Sequence, residues 1–180
     1  MHNLTIDDKT FEIFIDQGMI EKRIRLIGVQ LNVDYENKVP VFIGVLNGSF
    51  LFMADLVKEL EISCEMAFVK VSSYFGGTTS SGQIKEELGL NIDIEGRDII
   101  IIEDIIDTGK TVHHLINEFK KKNPASVRVA TLLLKPEALT FPSEEIAYIG
   151  FEIASDFVVG YGMDYKGLGR NTKDIYRLLE

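Results

Sequence analysis

The sequence is poor in the features that mark several large protein classes. Its only cysteine is Cys64, so no internal disulfide can form. No apolar run approaches the ~20 residues that a membrane-spanning helix needs. The first ten residues already carry Asp7, Asp8 and Lys9, unlike the apolar segment of a secretory signal. These absences predict a cytoplasmic protein with no membrane partner. Basic residues are also scarce: 19 Lys and Arg face 28 Asp and Glu, for a net charge of −9. The Lys120-Lys121-Lys122 run is too short for the basic stripe of a nucleic-acid binder and is expected at a helix end. There is no internal repeat and no linker. With 180 residues, 46% hydrophobic and 26% charged, the expectation is a single domain, residues 1–180, large enough to bury a real core. Cys64, alternating with Met66 and Phe68, is expected in that core.

Common catalytic signatures are missing too. Gly160-Tyr161-Gly162 and Gly167-Leu168-Gly169 each lack the third glycine of a dinucleotide fingerprint. No Gly-x-Ser-x-Gly elbow is present. His113 and His114 are adjacent on a predicted helix, so they point in different directions and make a poor zinc pair.

What is present is an alternation of strands and helices. Ile20, Ile24, Ile27 and Leu31 recur at helical spacing and predict an amphipathic helix over 19–34. Val39 to Leu46 reads as a strand ending in the turn Asn47-Gly48. Met53, Leu56, Val57 and Leu60 mark a second helix. Residues 64–71 and 98–102 read as strands. Val112, Leu115, Ile116 and Phe119 mark a helix that stops before Asn123-Pro124. Val127 to Leu134 is a further strand, and Ile146–Phe151 and Phe157–Val159 are short ones. This order predicts an α/β fold with a mostly parallel sheet covered on both faces. Ligands on such sheets collect beyond the carboxyl ends of the strands, which brings Asn47-Gly48, Glu103 to Thr111 and Lys135 to one rim.

The most informative stretch runs from Ile99 to Thr111. Four isoleucines lead into Glu103 and Asp104, then Asp107, then the small-residue turn Thr108-Gly109-Lys110-Thr111. Gly109-Lys110-Thr111 suggests an NTPase phosphate loop, but that motif needs a glycine where this chain has Asp104, and a carboxylate there repels a polyphosphate. The turn still suits an anion, because free N–H groups at a helix start carry the positive end of its dipole. Residues 107–111 can hold one phosphate while Glu103 and Asp104 accept hydrogen bonds from sugar hydroxyls. A plain helix cap by Asp107 or Thr108 leaves the two acids unexplained. A sugar phosphate explains all three.

The segment Glu103-Asp104-Ile105-Ile106-Asp107-Thr108-Gly109-Lys110-Thr111 resembles the phosphoribosyl pyrophosphate motif of type I phosphoribosyltransferases. With two isoleucines between the acidic pair and Asp107, it is most similar to the hypoxanthine (hypoxanthine-guanine) phosphoribosyltransferases. The likeness extends from about Val39 to Arg170. It implies a twisted sheet flanked by helices, a small hood over the active site, and a homodimer or homotetramer. The implied activity is transfer of the phosphoribosyl group from phosphoribosyl pyrophosphate to N9 of hypoxanthine, and of guanine, giving IMP or GMP and pyrophosphate.

Residue by residue, the resemblance implies Asp107 as the base that accepts the purine N7 proton. Glu103 and Asp104 bind the ribose, and Thr108, Gly109, Lys110 and Thr111 the 5′-phosphate. Leu46-Asn47-Gly48 matches the pyrophosphate turn, whose first peptide is often cis; many relatives have lysine where this chain has Asn47. Arg170 also matches a pyrophosphate contact, although its flanks, Leu168-Gly169 and Asn171-Thr172, depart from the family pattern. Lys135 matches the lysine that reaches the 6-oxo group of the purine. Phe157 matches the stacking aromatic, Val158 the backbone reader of the base edge, and Asp164 a neighbouring acid. Magnesium is the implied cofactor, held mainly by substrate oxygens and water with Glu103, Asp104 and Asp164 as the acids near it. The Gly- and Ser-rich segment 72–82 contains Ser73-Tyr74, matching a mobile loop that closes over the substrates. Two alternatives stay open: a xanthine-weighted enzyme, or a regulator that senses phosphoribosyl pyrophosphate and binds nucleic acid.

Overall fold

A computed structural model describes residues 3–73 and 84–179. Strands β3 (Val41–Leu46), β4 (Glu65–Ser73), β5 (Ile84–Leu88), β6 (Asp98–Ile106), β7 (Ser126–Leu134) and β8 (Ile146–Glu152) form one sheet in the order β5-β4-β3-β6-β7-β8. All neighbours are parallel except β5, which runs antiparallel to β4. A second, antiparallel sheet joins β1 (Leu4–Ile6) and β2 (Lys9–Ile15) to β10 (Ile175–Leu178) and β9 (Val158–Val159). It is the hood that the family resemblance implies, and Phe157-Val158-Val159 leads into it rather than into the main sheet.

Three helices cover the parallel sheet. Helix α1 (Gln17–Asp34) starts where the Asp16 carboxylate accepts the Met19 N–H at 2.9 Å, and it buries Ile20, Ile24, Ile27 and Leu31. Helix α2 (Phe50–Lys58) buries Phe52, Met53 and Leu56. Together they cover one face, packing on Phe42, Ile100, Ile102, Ala130 and Leu132. Helix α3 (Lys110–Lys120) lies in the core of the other face through Val112, Leu115, Ile116 and Phe119, with Ile99, Ile101, Val127 and Val129. The middle strand, β6, therefore alternates its isoleucines between two apolar layers, and all four from Ile99 to Ile102 are fully buried.

At their carboxyl ends β6 and β7 lose this alternation together. Ile105 and Leu133 join the core beneath α1 and α2, while Ile106 and Leu134 join the core beneath α3. The two irregular pairs are register partners, Ile105 with Leu133 and Ile106 with Leu134. Thr131, buried one step earlier, donates its hydroxyl to the Leu133 carbonyl at 2.8 Å.

Two expectations need correction. Strand β6 does not stop at Ile102 but continues to Ile106, so Glu103 and Asp104 lie within it. In β4 the core residues are Ala67 and Val69, whereas Met66 and Phe68 are 54% and 38% exposed; Cys64, just before the strand, is half-buried and packs against the core beneath α1 and α2. The same face of β4 and β5 carries exposed Leu88, opposite Lys70. Strands β1, β2, β5 and β10 were not anticipated. Ser73 ends β4, whereas Tyr74 lies outside the described residues. Among the described residues, no helix is long and apolar enough to cross a membrane.

Asn32 ties α1 to the end of α2: its amide donates to the Glu59 carbonyl at 3.0 Å and its oxygen accepts the Glu61 N–H at 2.8 Å. Asn32→Ala strands two backbone groups and should lower unfolding free energy by about 1–3 kcal/mol, measured by urea denaturation.

Candidate active site

The rim at the carboxyl ends of β3, β6 and β7 collects the acids and turns that the sequence singled out. Burying an isoleucine side chain contributes roughly 1.5–3 kcal/mol, and four in succession anchor β6 firmly enough to carry two acids into the interior behind them. Glu103 is 9% exposed, and its Oε2 has no hydrogen-bond partner among the described residues. Burial, with the neighbouring Asp104 charge, pushes its carboxyl well above the ordinary range. Burial likewise pushes Asp104 up to about 6; the Ile105 N–H and Arg170 pull the other way, and Asp164 adds to the rise.

The two acids serve different hollows. Glu103 lines one with Ile106, Asp107 and the turn from Thr108 to Val112, about 110 Å³ in volume. Asp104 lines another, of about 230 Å³, with Asp107, Lys135, Phe157, Val158, Met163 and Asp164. Asp107 borders both, which puts it between a phosphate-sized recess and an aromatic-walled one.

The first hollow is closed by the start of α3. Its N-cap is Gly109, with no side-chain cap. The Thr108 hydroxyl makes one long contact with the Lys110 N–H, at 3.4 Å, in contrast to the 2.9 Å bond of Asp16 on α1, so the first turn of α3 still has donors to offer an anion. Gly109 has φ +80°, and a Cβ there would lie 2.7 Å from the Phe141 carbonyl oxygen, so both backbone angle and space require glycine.

In the second hollow, Lys135 Nζ approaches Asp107 Oδ2 at 3.4 Å; Lys135 is 8% exposed. Its backbone N–H also donates to the Ile106 carbonyl at 2.9 Å, fixing the strand ends side by side. Phe157 presents a ring that is 45% exposed. Phe11 supports that ring at 6.2 Å and Tyr165, edge-on, at 5.8 Å between centroids. Sequence reasoning did not single out Phe11, Tyr165 or Met163. The alternation of Phe11, Ile13 and Ile15 was the available signal for β2; Met163 and Tyr165 gave none, because they sit in isolated bridges that close tight turns.

The turn after β3 meets the hood at the same rim. The Leu46–Asn47 peptide is cis. The Asp104 carboxylate lies so close over Gly48 that a Cβ there would be 1.6 Å from Oδ2. Arg170 donates to the Gly162 carbonyl at 2.6 Å and pairs with Asp164, whose other oxygen accepts the Gly167 N–H at 2.6 Å. The atypical flanks of Arg170 thus leave its guanidinium with two defined partners. Asn47 is exposed beside this cluster. Among the described residues, no three acid, histidine or cysteine side chains are grouped to hold a metal alone. Two carboxyl groups facing open hollows are hard oxygen donors that suit magnesium, which completes its shell from substrate and water.

A family model described as the phosphoribosyl transferase domain matches residues 13–166. The hypoxanthine-guanine phosphoribosyltransferase of Streptococcus pneumoniae is 45% identical over 160 residues, covering 89% of this chain and 88% of that protein. The chain belongs to the hypoxanthine-guanine phosphoribosyltransferase family. Solved structures of that family share its fold. A hypoxanthine phosphoribosyltransferase from Staphylococcus aureus superposes with a TM-score of 0.88 at 38% identity, over 93% of this chain and 91% of that one. The Trypanosoma cruzi hypoxanthine phosphoribosyl transferase superposes at 0.88 and 34% identity, over 98% and 95%.

The raised carboxyl of Asp104 has a testable sign. The fold binds its proton more tightly than the unfolded chain does, so stability falls as pH rises from the ordinary aspartate range to about 6 and stays reduced above it. Asp104→Asn should raise the melting temperature of the ligand-free protein by several degrees at neutral pH, with the gain shrinking toward pH 4. Thermal unfolding across pH checks this, and an equal or lower melting temperature at neutral pH refutes it.

Proposed function

We propose that this chain acts in purine salvage, transferring the 5-phosphoribosyl group from phosphoribosyl pyrophosphate to N9 of hypoxanthine and guanine. The observation that carries this reading is the meeting of Asp107 and Lys135 at the ends of adjoining strands, on the wall between the amide-lined recess and the Phe157 recess. A donor that spans both recesses presents its C1 carbon beside Asp107.

In this mechanism the 5′-phosphate sits against the backbone amides of Thr108 to Thr111, with Lys110 adding positive charge. Glu103 and Asp104 accept the ribose hydroxyls; these donors supply what burial has denied both carboxyl groups. The purine lies on the Phe157 ring, its 6-oxo group toward the Lys135 ammonium and its edge along the Val158 backbone. The Asn47-Gly48 amides and Arg170 receive the pyrophosphate. As the C1–oxygen bond breaks, positive charge grows on the ribose and negative charge on the leaving pyrophosphate. Asp107 takes the N7 proton while N9 attacks. Glu103, Asp104 and Asp164 are the residues that would help hold magnesium, which when bound would neutralise charge on the pyrophosphate. The Ser73-Tyr74 segment excludes water. The reducing cytoplasm is the expected compartment.

Asp107→Asn should lower kcat by about 10²–10⁴-fold with little change in KM for phosphoribosyl pyrophosphate. Lys135→Ala should instead raise KM for hypoxanthine and guanine. Incubating the protein with magnesium, phosphoribosyl pyrophosphate and hypoxanthine, guanine, xanthine or adenine, and following nucleotide formation, tests the reading. Near-normal turnover in Asp107→Asn removes that residue from the base role, and preferential use of xanthine reassigns the acceptor.

Self-association into a homodimer or homotetramer belongs to the same proposal. Exposed Met66, Phe68 and Leu88, on the outer part of the sheet face whose centre lies under α1 and α2, and Phe50 at the start of α2, are the apolar surface that a second copy can bury. Sedimentation should give a dimer or larger species that Phe68→Asp dissociates; a wild-type monomer at micromolar concentration refutes it.

A further inference from the structure

The turn that follows the Lys135 strand does more than return the chain to the surface. After Lys135, a short 3-10 turn (Pro136–Ala138) carries the backbone to Leu139, which packs against the core beneath α3. The next two residues reach the phosphate recess from behind. The backbone N–H groups of Thr140 and Phe141 each donate to the Thr108 carbonyl at 3.1 Å. The Thr140 hydroxyl donates to the same oxygen at 3.3 Å. One carbonyl therefore receives three donors. At the same place the Phe141 carbonyl and a Leu139 methyl sit where a Cβ on Gly109 would be, at 2.7 and 3.1 Å.

A peptide plane is rigid, so holding the Thr108 carbonyl from behind fixes the direction of the Gly109 N–H on the opposite edge of that plane. The left-handed Gly109 then starts α3 with its amides facing the recess. A loop with Thr108 and Gly109 free to turn would present those donors only part of the time, and the ordering cost would fall on ligand binding.

We propose that Leu139, Thr140 and Phe141 form a positioning element that presets the 5′-phosphate cradle from the purine side of the site, with Thr140 as its side-chain contribution. Neither Thr140 nor Phe141 touches substrate in this scheme. It rests on the assignment of Thr108 to Thr111 to the 5′-phosphate, and it adds that the strand bearing Lys135 and the cradle are built as one piece.

The test is a comparison of ligands that do and do not enter the cradle. Thr140→Val keeps the shape and removes the hydroxyl; Thr140→Ser restores the donor. Loss of one such bond should weaken ribose 5-phosphate binding, read by calorimetry, and raise KM for phosphoribosyl pyrophosphate by about three- to tenfold. KM for hypoxanthine and inhibition by pyrophosphate should stay within about twofold, a change too small to report a lost hydrogen bond. Thr140→Ser should return the first two values to those of the wild type. Leu139→Ala, which loosens the anchor, should shift the same two constants in the same direction. Unchanged ribose 5-phosphate affinity in Thr140→Val overturns the proposal, as does a parallel rise in the hypoxanthine KM, which would mark a general loss of structure. If Thr111→Val also leaves ribose 5-phosphate affinity unchanged, the cradle assignment itself fails, which separates that failure from the failure of Thr140 alone.

Discussion

Glu103 and Asp104 lose their water because β6 is an inner strand, between β3 and β7, with helices over both faces. A buried carboxyl without full hydrogen bonding is costly, and the isoleucines behind the pair offset that cost. The consequences spread outward. The position facing Asp104 has to be glycine, because its carboxylate occupies the space of a Gly48 side chain. Arg170 and Asp164, paired with each other, lie near enough for their charges to act on the same carboxyl in opposite directions. Glu103, on the other face of β6, is left with an oxygen that only a ligand or solvent can satisfy. Two adjacent residues thereby open onto two different hollows, and a ligand with hydroxyls relieves both.

The joint irregularity of β6 and β7 turns this burial into a site. If alternation continued to the strand ends, Ile106 and Leu134 would face the helices α1 and α2. The slip sends them beneath α3, and the next residues, Asp107 and Lys135, emerge next to each other at the rim. The carboxylate and the ammonium are thereby assembled as a pair, 3.4 Å apart, on the wall between the two hollows. The hood then adds an aromatic wall, with Phe157 braced by Phe11 and Tyr165.

The parallel sheet was legible in the sequence because the central strands carry unbroken apolar runs, Val41 to Leu46 in β3 and Ile99 to Ile102 in β6, and α1 shows its spacing through Ile20, Ile24, Ile27 and Leu31. The donor motif from Glu103 to Thr111 was legible because no purely structural role accounts for two acids within an apolar run. The hood strands β1 and β10 were not, because they have only three and four residues, and β10 finds its partner β2 at the far end of the sequence; β2 itself showed alternation that was not used. The wrong face assigned to β4 has another cause. Met66 and Phe68 are larger than Ala67 and Val69, so composition favoured them, yet they lie toward the edge of the sheet face whose centre α1 and α2 cover and stay exposed. The three donors on the Thr108 carbonyl were invisible as well, since two of them are backbone N–H groups.

The hood also fixes when a newly made chain can become whole. Strand β2 lies between β1 and β10, and Glu12 pairs with Arg177, 165 residues further on. At about 5–20 residues per second, the ribosome needs roughly 8–33 s to deliver that partner. Through this interval Phe11 and one hydrogen-bonding edge of β2 have no β10 to cover them, while the parallel sheet and its phosphate recess can already form. The nascent chain then has an open, adhesive edge, and it is in this window that chaperones or self-association would act on it.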